Sequence, residues 1–428
     1  MLYTFYGDDF TGSTDVLEQL ASNGVRTALF IGPPDADQLA RFKDIAAIGI
    51  AGDSRSRSPE WMAANLPRIF AAMKQFNAPI NHYKICSTFD SSPTHGSIGR
   101  AIELGREVFS PEFIPVVVAA PHLGRYVVFS NLFAVCPDGT IRRIDRHPMA
   151  QHPVTPMHEA DLCHHLGTQT KLAMGQVDLT AIQSGRAVTE LDRQLAEGTQ
   201  VIFFDGVDRT NIAETGELLW QRAQERPIFS ASSSGLTAAI VSAWRKARLI
   251  DRPLSPEPME NNKSEPLLVI SGSCSPVTAN QIRRALGNGF RGILIDTAGL
   301  LGSENSERHI HTEAAAELNK GRSVILYTAL GAWSGLAHGD ALGRALGHLL
   351  RDLLPIIKTR RVVLCGGDTS SHAVQQLELY ALTWAASIQP GAPLCRAWSD
   401  DPVFDGLELV LKGGQAGTLD FFEAVQRA

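Results

Sequence analysis

The chain has 428 residues, too many for one ordinary core, so two domains are the expectation. Its composition, 44% hydrophobic and 20% charged, is that of a globular protein and excludes a largely disordered chain. A formal charge of -6 excludes nonspecific nucleic-acid binding, which rests on neutralising phosphates, but leaves room for a local site that takes a small anion.

The six cysteines (Cys86, Cys136, Cys163, Cys274, Cys365, Cys395) form no C-x-x-C pair. They read as reduced thiols in a cytosolic enzyme rather than as a disulfide or zinc framework. No basic n-region with an apolar h-region opens the sequence, and no apolar run reaches the roughly 18 residues of a membrane span. A cytoplasmic protein with no membrane or nucleic-acid partner is expected, with a homodimer as its assembly.

From the start, β-rich runs alternate with amphipathic stretches. "LYTFYG", "VRTALFI", "IAAIGI", "INHYKIC", "PVVVAA" and "VIFFDG" predict strands, with helices at 58–77 and 94–108. Such alternation predicts α/β layers around a largely parallel sheet. The stretch 146–165 is rich in Pro and His and reads as a long surface connection before a helix. Its histidines, His147, His152, His158, His164 and His165, match no common zinc spacing.

Residues 250–266 gather prolines and charges without periodicity and read as a linker. The alternation then restarts with "PLLVISG", a helix from about Pro276, "GILIDTAG", a helix near Glu304–Asn319, "SVILYTA", a helix over 340–354 and "RVVLCGG". A helix from about Ser371, the run "LELVLKGG" and a terminal helix follow. The expected architecture is two three-layer α/β domains with largely parallel sheets: residues 1–249 for substrate, 250–266 as linker, 267–428 for nucleotide. "GNGFRG" is a literal G-x-G-x-x-G, but it follows a helix and precedes a strand, the reverse of a dinucleotide fingerprint.

Polar clusters follow several of the strands, where open α/β sheets bind ligands. The first is "YGDDFTGSTD". Its Thr11 or Ser13 suits the cap of a helix beginning near Thr14, yet Asp8, Asp9, Thr11 and Ser13 together exceed what one capped turn needs. The second, "AGDSRSRSPEWM", offers Arg55 and Arg57, whose planar forks suit a carboxylate. The third, "HYKICSTFDSSPTHGSIG", places Lys84 beside Ser87, Thr88, Asp90, Ser91 and Ser92, a set suited to a polyhydroxylated acid. In the second domain, "SGSCSPVTANQ", "CGGDTSSHAV" and "LKGGQAGTLDFF" each pair a small-residue loop with a strand end. Exposed backbone N–H groups at helix N-termini make phosphate sites, and no P-loop motif is present.

Jointly these motifs resemble those of the four-carbon acid sugar kinases, nearly end to end: "DDFTGSTD", "DSRSRSPE", "YKICSTFD", "PVTPMHEADL", "SGSCSPVTANQ", "GGDTSSHAV" and "LKGGQAGTLDFF". The resemblance implies a sugar-acid-binding and an ATP-binding domain, with phosphoryl transfer in the cleft between them. It implies substrate contacts at Asp8, Asp9, Arg55 and Lys84, with Thr11, Ser13 and Asp90 beside them. It implies ATP contacts at Ser273, Gly366, Gly367, Asp368, Thr369 and Gly414. Mg²⁺ is expected with ATP, its protein ligands unassigned.

Many members read Lys-Ile-Asp-Ser-Thr-Leu-Arg-Gly where this chain has Lys84-Ile85-Cys86-Ser87-Thr88-Phe89-Asp90-Ser91. An anion where a cation is usual disfavours the ordinary linear acid. The substrate is expected among 3-oxo-tetronate, threonate or erythronate, or a branched relative of the 3-oxo-isoapionate type, phosphorylated on a hydroxyl, the terminal one being the expectation. Asp8 or Asp9 is the leading candidate for catalytic base and Asp368 the rival. The competing reading is a non-catalytic sensor of sugar acids and nucleotide.

Overall fold

The opening run Tyr3–Gly7 is buried at every position, as befits a parallel strand covered on both faces. The computed structural model describes residues 1–136, 138–150, 155–250, 266–302, 304–331 and 339–428, without the side chains of 304–307 and 368. The linker expected over 250–266 therefore falls, except at its ends, outside the described residues. The chain forms two units: Met1–Asp8, Gln19–Thr27 and Lys43–Leu254 in the first; Asp9–Glu18, Ala28–Phe42 and Ser255–Ala428 in the second. Among the described residues no helix is long and apolar enough to cross a membrane.

In the first unit, Ile228–Ser232, Ile80–Lys84, Tyr3–Gly7 and Ala47–Ala51 lie side by side in that order, all parallel. A second parallel sheet joins Ile114–Val116, Val201–Phe204 and Met174–Val177. A small antiparallel sheet joins Arg125–Val128, Asn131–Val135 and Ile141–Arg143. Ser58, Ser97 and Asp208 each take a backbone N–H at the start of a helix, so those strand-to-helix turns are closed by their own side chains. Phe70, Tyr83, Phe109 and Phe229 pack edge-on or stacked in the core. Burial holds His82 neutral, pushing it down to about 3 while it bonds Tyr3 and the Ser232 carbonyl.

In the second unit the order is Thr27–Phe30, Leu379–Gln389, Ala392–Ser399, Glu408–Lys412, Arg361–Cys365, Leu268–Ser271, Val324–Tyr327 and Arg291–Leu294. From Glu408–Lys412 onward the strands are parallel; the pairings before it are antiparallel. Val269, Ile282, Ile325, Val363, Val410, Phe421 and Phe422 fill its core. The long antiparallel pair has no counterpart in the sequence reading. "LYALTWAASIQ" mixes strand formers (Tyr380, Thr383, Trp384, Ile388) with three alanines and shows no clean alternation, so its pairing with neighbouring strands is not announced locally.

Two expectations need correction. The first helix spans Phe10–Ala21 rather than starting near Thr14, because the Asp9 carboxylate accepts the Gly12 N–H at 2.6 Å and closes the turn four residues earlier. The stretch 146–165 is not a plain surface connection. Where described, His147, Met157, Ala160 and His165 are buried; the helix expected after the connection spans Leu162–Gly167.

In that first helix, burial pushes Glu18 up to about 7, against hydrogen bonds from Ser387 and the Gly391 N–H (3.0 Å) that favour its charge. An acid whose folded pKa is raised binds its proton more tightly folded than unfolded. Its contribution is fully present below about 4.5 and is lost as pH rises through about 7. Glu18→Gln should abolish a pH-dependent loss of about 3 kcal/mol across that window and leave the variant the more stable above it, read by urea unfolding as a function of pH.

Candidate functional site

One half of the candidate site is built in the first unit by parallel strands that end together. The Asp8 N–H donates to the Lys84 carbonyl at 2.9 Å, and the Arg55 N–H donates to the Asp8 carbonyl at 3.0 Å. The Arg55 guanidinium closes on the Asp8 carboxylate with both arms, Nε to Oδ2 at 3.1 Å and Nη2 to Oδ1 at 2.7 Å. Arg57 does the same for Asp53 through Nε at 3.1 Å and Nη2, and lies over the Trp61 ring. Gly96, at φ +57°, packs against this turn; a Cβ there would lie 2.3 Å from the Arg55 carbonyl oxygen.

Lys84 is buried, with Nζ donating to the Ile85 carbonyl at 3.0 Å. The Cys86 thiol beside it is pushed up to about 11 by burial and by Asp90, against the opposing pull of Arg55 and Lys84. The Thr88 hydroxyl is 2.9 Å from the Cys86 sulfur and bonds the Asp90 carboxylate. Ser91 joins His165 Nε2 (3.0 Å) and accepts from Gln169 Nε2 (2.8 Å), and burial keeps His165 below its ordinary pKa. Of the expected substrate residues, Asp8, Arg55, Lys84 and Asp90 gather here.

The remaining members of the opening motif count with the second unit. Thr11 donates to Asp9 Oδ2 at 2.8 Å and Ser13 to the Asp9 carbonyl at 2.7 Å, so both hydroxyls serve the first helical turn. The Phe10 N–H reaches Ser371 Oγ at 3.3 Å, and Asp9 Oδ2 lies 3.5 Å from where a Cβ on Gly367 would stand. Asp9 thus borders the "GGDTSS" turn.

That turn is the phosphate-suited half. Gly366 has φ +110°, and the helix Gly367–Val374 begins with no side-chain cap, which leaves its first N–H groups pointing outward as donors. A Cβ on Gly272 would fall 2.3 Å from Thr369 Oγ1, and one on Gly414 would fall 3.0 Å from Ser273 Oγ, so the three loops pack as closely as glycine allows. Ser273 donates to Thr278 Oγ1 (3.3 Å), which donates to the Gly414 carbonyl (2.9 Å). Lys412 Nζ reaches Thr278 Oγ1 at 3.0 Å and the Gly413 carbonyl at 3.1 Å. Lys412 is fully buried, its pKa lowered by desolvation, and among the described residues no carboxylate bears on it. Ser273, Gly366, Gly367, Thr369 and Gly414 all line these loops; the Asp368 side chain lies outside the described residues. The sequence reading noted Lys412 only as an addition to its loop, named His165 only among histidines that match no zinc spacing, and passed over Thr278. A lysine closing an apolar strand before paired glycines is the signal that pointed to Lys412.

Residues 3–240 match a sugar-binding N-terminal domain and residues 268–422 a nucleotide-binding C-terminal domain. The chain is 42% identical to a 3-oxo-isoapionate kinase of Paraburkholderia graminis, over 100% of this chain and 94% of that protein. It is 29% identical to a 3-oxo-tetronate kinase of Pectobacterium atrosepticum, over 98% and 97% respectively. Its fold is that of a Haemophilus influenzae protein of known structure (TM-score 0.71, 24% identity, 99% of each chain) and of a Salmonella typhimurium one (TM-score 0.79, 22% identity, 99% and 98%).

Lys412→Met keeps the length of the side chain and removes its charge. The KM for ATP should rise at least about 10-fold while the melting temperature holds or increases, because an unbalanced buried charge is lost. Steady-state kinetics and thermal unfolding check both.

Proposed function

This chain belongs to the four-carbon acid sugar kinase family, and from that premise we propose that its substrate is a branched oxo-acid of the 3-oxo-isoapionate class. It is a sugar-acid kinase, with ATP as the phosphoryl donor implied by its nucleotide-binding domain and kinase relatives. The observation that carries the choice of acid is the Asp90 carboxylate, bonded to Thr88 beside Cys86. A carboxylate accepts hydrogen bonds and repels another carboxylate. It suits the hydroxyl of an additional arm on a branched acid better than a linear acid's own anionic end. The 42% identity to a 3-oxo-isoapionate kinase supports the same choice.

Phosphoryl transfer needs positioning and charge neutralisation more than covalent chemistry. In this proposal the uncapped N–H groups after Gly366, the Ser273 and Thr369 hydroxyls and the Lys412 ammonium hold the triphosphate. Asp9, next to Gly367, accepts the proton of the attacking hydroxyl, and Asp8 fixes the Arg55 guanidinium in place at the acid. Mg²⁺ takes most of its ligands from phosphates and water, which suits loops that offer hydroxyls and one carboxylate; when bound it would neutralise charge on the β- and γ-phosphates.

ADP formation measured over 3-oxo-isoapionate, 3-oxo-tetronate, D-threonate and D-erythronate tests the reading. The first should show a kcat/KM at least about 10-fold above the others, and Asp90→Asn should narrow that gap. Equal or better use of 3-oxo-tetronate would contradict the choice of acid. Silence across the panel with ATP still bound would favour the sensor.

A further inference from the structure

We propose that Arg125 binds the carboxylate of the sugar acid, and that the thiol at Cys86 leaves its charge free to do so. This rests on the sugar-acid reading of the site and names the group that recognises the acid end. Arg125 opens the strand Arg125–Val128 after a single helical turn, Pro121–Leu123, and Gly124 at φ +67°. Its Nη1 donates to the carbonyls of Leu123 (3.0 Å) and Gly124 (3.2 Å), and its Nη2 lies 3.8 Å from the Met149 sulfur. Its Nε is buried with no hydrogen-bond partner among the described residues.

The surroundings are what set it apart. Arg55 is closed on Asp8, Arg57 on Asp53, and Arg143 on Asp145 at 2.6 Å. The titratable groups that bear on Arg125 are Cys86, Cys136, Tyr126 and His147. Burial and Asp90 push the Cys86 thiol up and so keep it neutral, and burial together with Arg125 itself holds His147 below its ordinary pKa. Among the described residues no carboxylate meets the guanidinium, and desolvation lowers its pKa. A cation withdrawn from water costs several kcal/mol unless an anion compensates it. A fold that keeps one uncompensated leaves an anion site.

Cys86 fixes where that site is. The same thiol feels Arg55, Lys84 and Asp90, so Arg125 lies within electrostatic reach of the loop that carries the expected substrate residues. A planar guanidinium whose Nε–H has no partner among the described residues matches a carboxylate, not a hydroxyl. Asp90, which also bears on the thiol, takes hydroxyls, so opposite preferences meet at one neutral residue.

Three variants of the full chain test this. Arg125→Gln should raise the KM for 3-oxo-isoapionate about 30-fold, the loss expected on truncating one partner of a buried charge pair, with the KM for ATP unchanged within about 2-fold. Arg125→Lys, which keeps the charge but not the fork, should fall between. Cys86→Asp sets a carboxylate against the guanidinium; it should raise the acid KM as Arg125→Gln does without lowering the melting temperature. A merely structural Arg125 would instead give a lower melting temperature in Arg125→Gln, no split between the two KM values, and a Cys86→Asp variant with wild-type KM. A rise confined to the KM for ATP would place a phosphate there and equally overturn the proposal. If no acid supports ADP formation, the kinase reading fails and thermal shift still decides Arg125. D-erythronate should stabilise the wild type but not Arg125→Gln, and neutral erythritol neither; equal shifts in both proteins would refute the assignment.

Discussion

A guanidinium taken out of water needs a carboxylate to meet it, and the acid end of this protein is laid out by that constraint. The Asp8–Arg55 pair satisfies it with two parallel hydrogen bonds, and the backbone bond from Arg55 to the Asp8 carbonyl makes the pairing part of the strand ends themselves. Asp53 does the same for Arg57. Among the described residues, Arg125 near Cys86 and Lys412 at the glycine loops are desolvated cations on which no carboxylate bears, and on the proposed reading they set which ligand each half takes.

The adjacent carboxylates of the opening motif acquire separate roles on this view. Asp8 follows a strand whose neighbours end in Lys84 and lead into the turn that carries Arg55, the residues proposed to hold the acid. One residue later the chain turns into a helix, and Asp9 caps that helix beside the Gly366–Gly367 turn. A single peptide bond separates a carboxylate committed to a guanidinium from one placed at the phosphate-suited loops. The surplus polar chemistry of "DDFTGSTD" is accounted for in this way: Thr11 and Ser13 build the turn that makes the change of direction possible.

Much of the fold could be read before the structure. Fully buried parallel strands are continuous apolar runs, and "LYTFYG", "INHYKIC" and "RVVLCGG" announced themselves as such. Helices with Ser caps, such as Pro59–Gln75, were equally plain. The antiparallel pair Leu379–Gln389 and Ala392–Ser399 was not, because alanine-rich strands are stabilised by neighbours distant in sequence. Of the site, loops with their chemistry concentrated in a few consecutive residues were legible. Arg125 was not: "HLGRYVV" has no pattern of its own, and its meaning lies in Cys86, in a loop some 39 positions earlier, and in the absence of a carboxylate among its described neighbours.

The division of labour between the adjacent aspartates is the claim on which the account stands, and Asn substitution isolates it because Asn caps helices as well as Asp does. Steady-state kinetics in which ATP and acid are each varied against a saturating partner provide the measurement. Asp9→Asn should cut kcat by about 100-fold or more, as loss of a general base does, with both KM values little changed. Asp8→Asn should chiefly raise the KM for the acid. The reverse assignment, or the same effect from both substitutions, would contradict it.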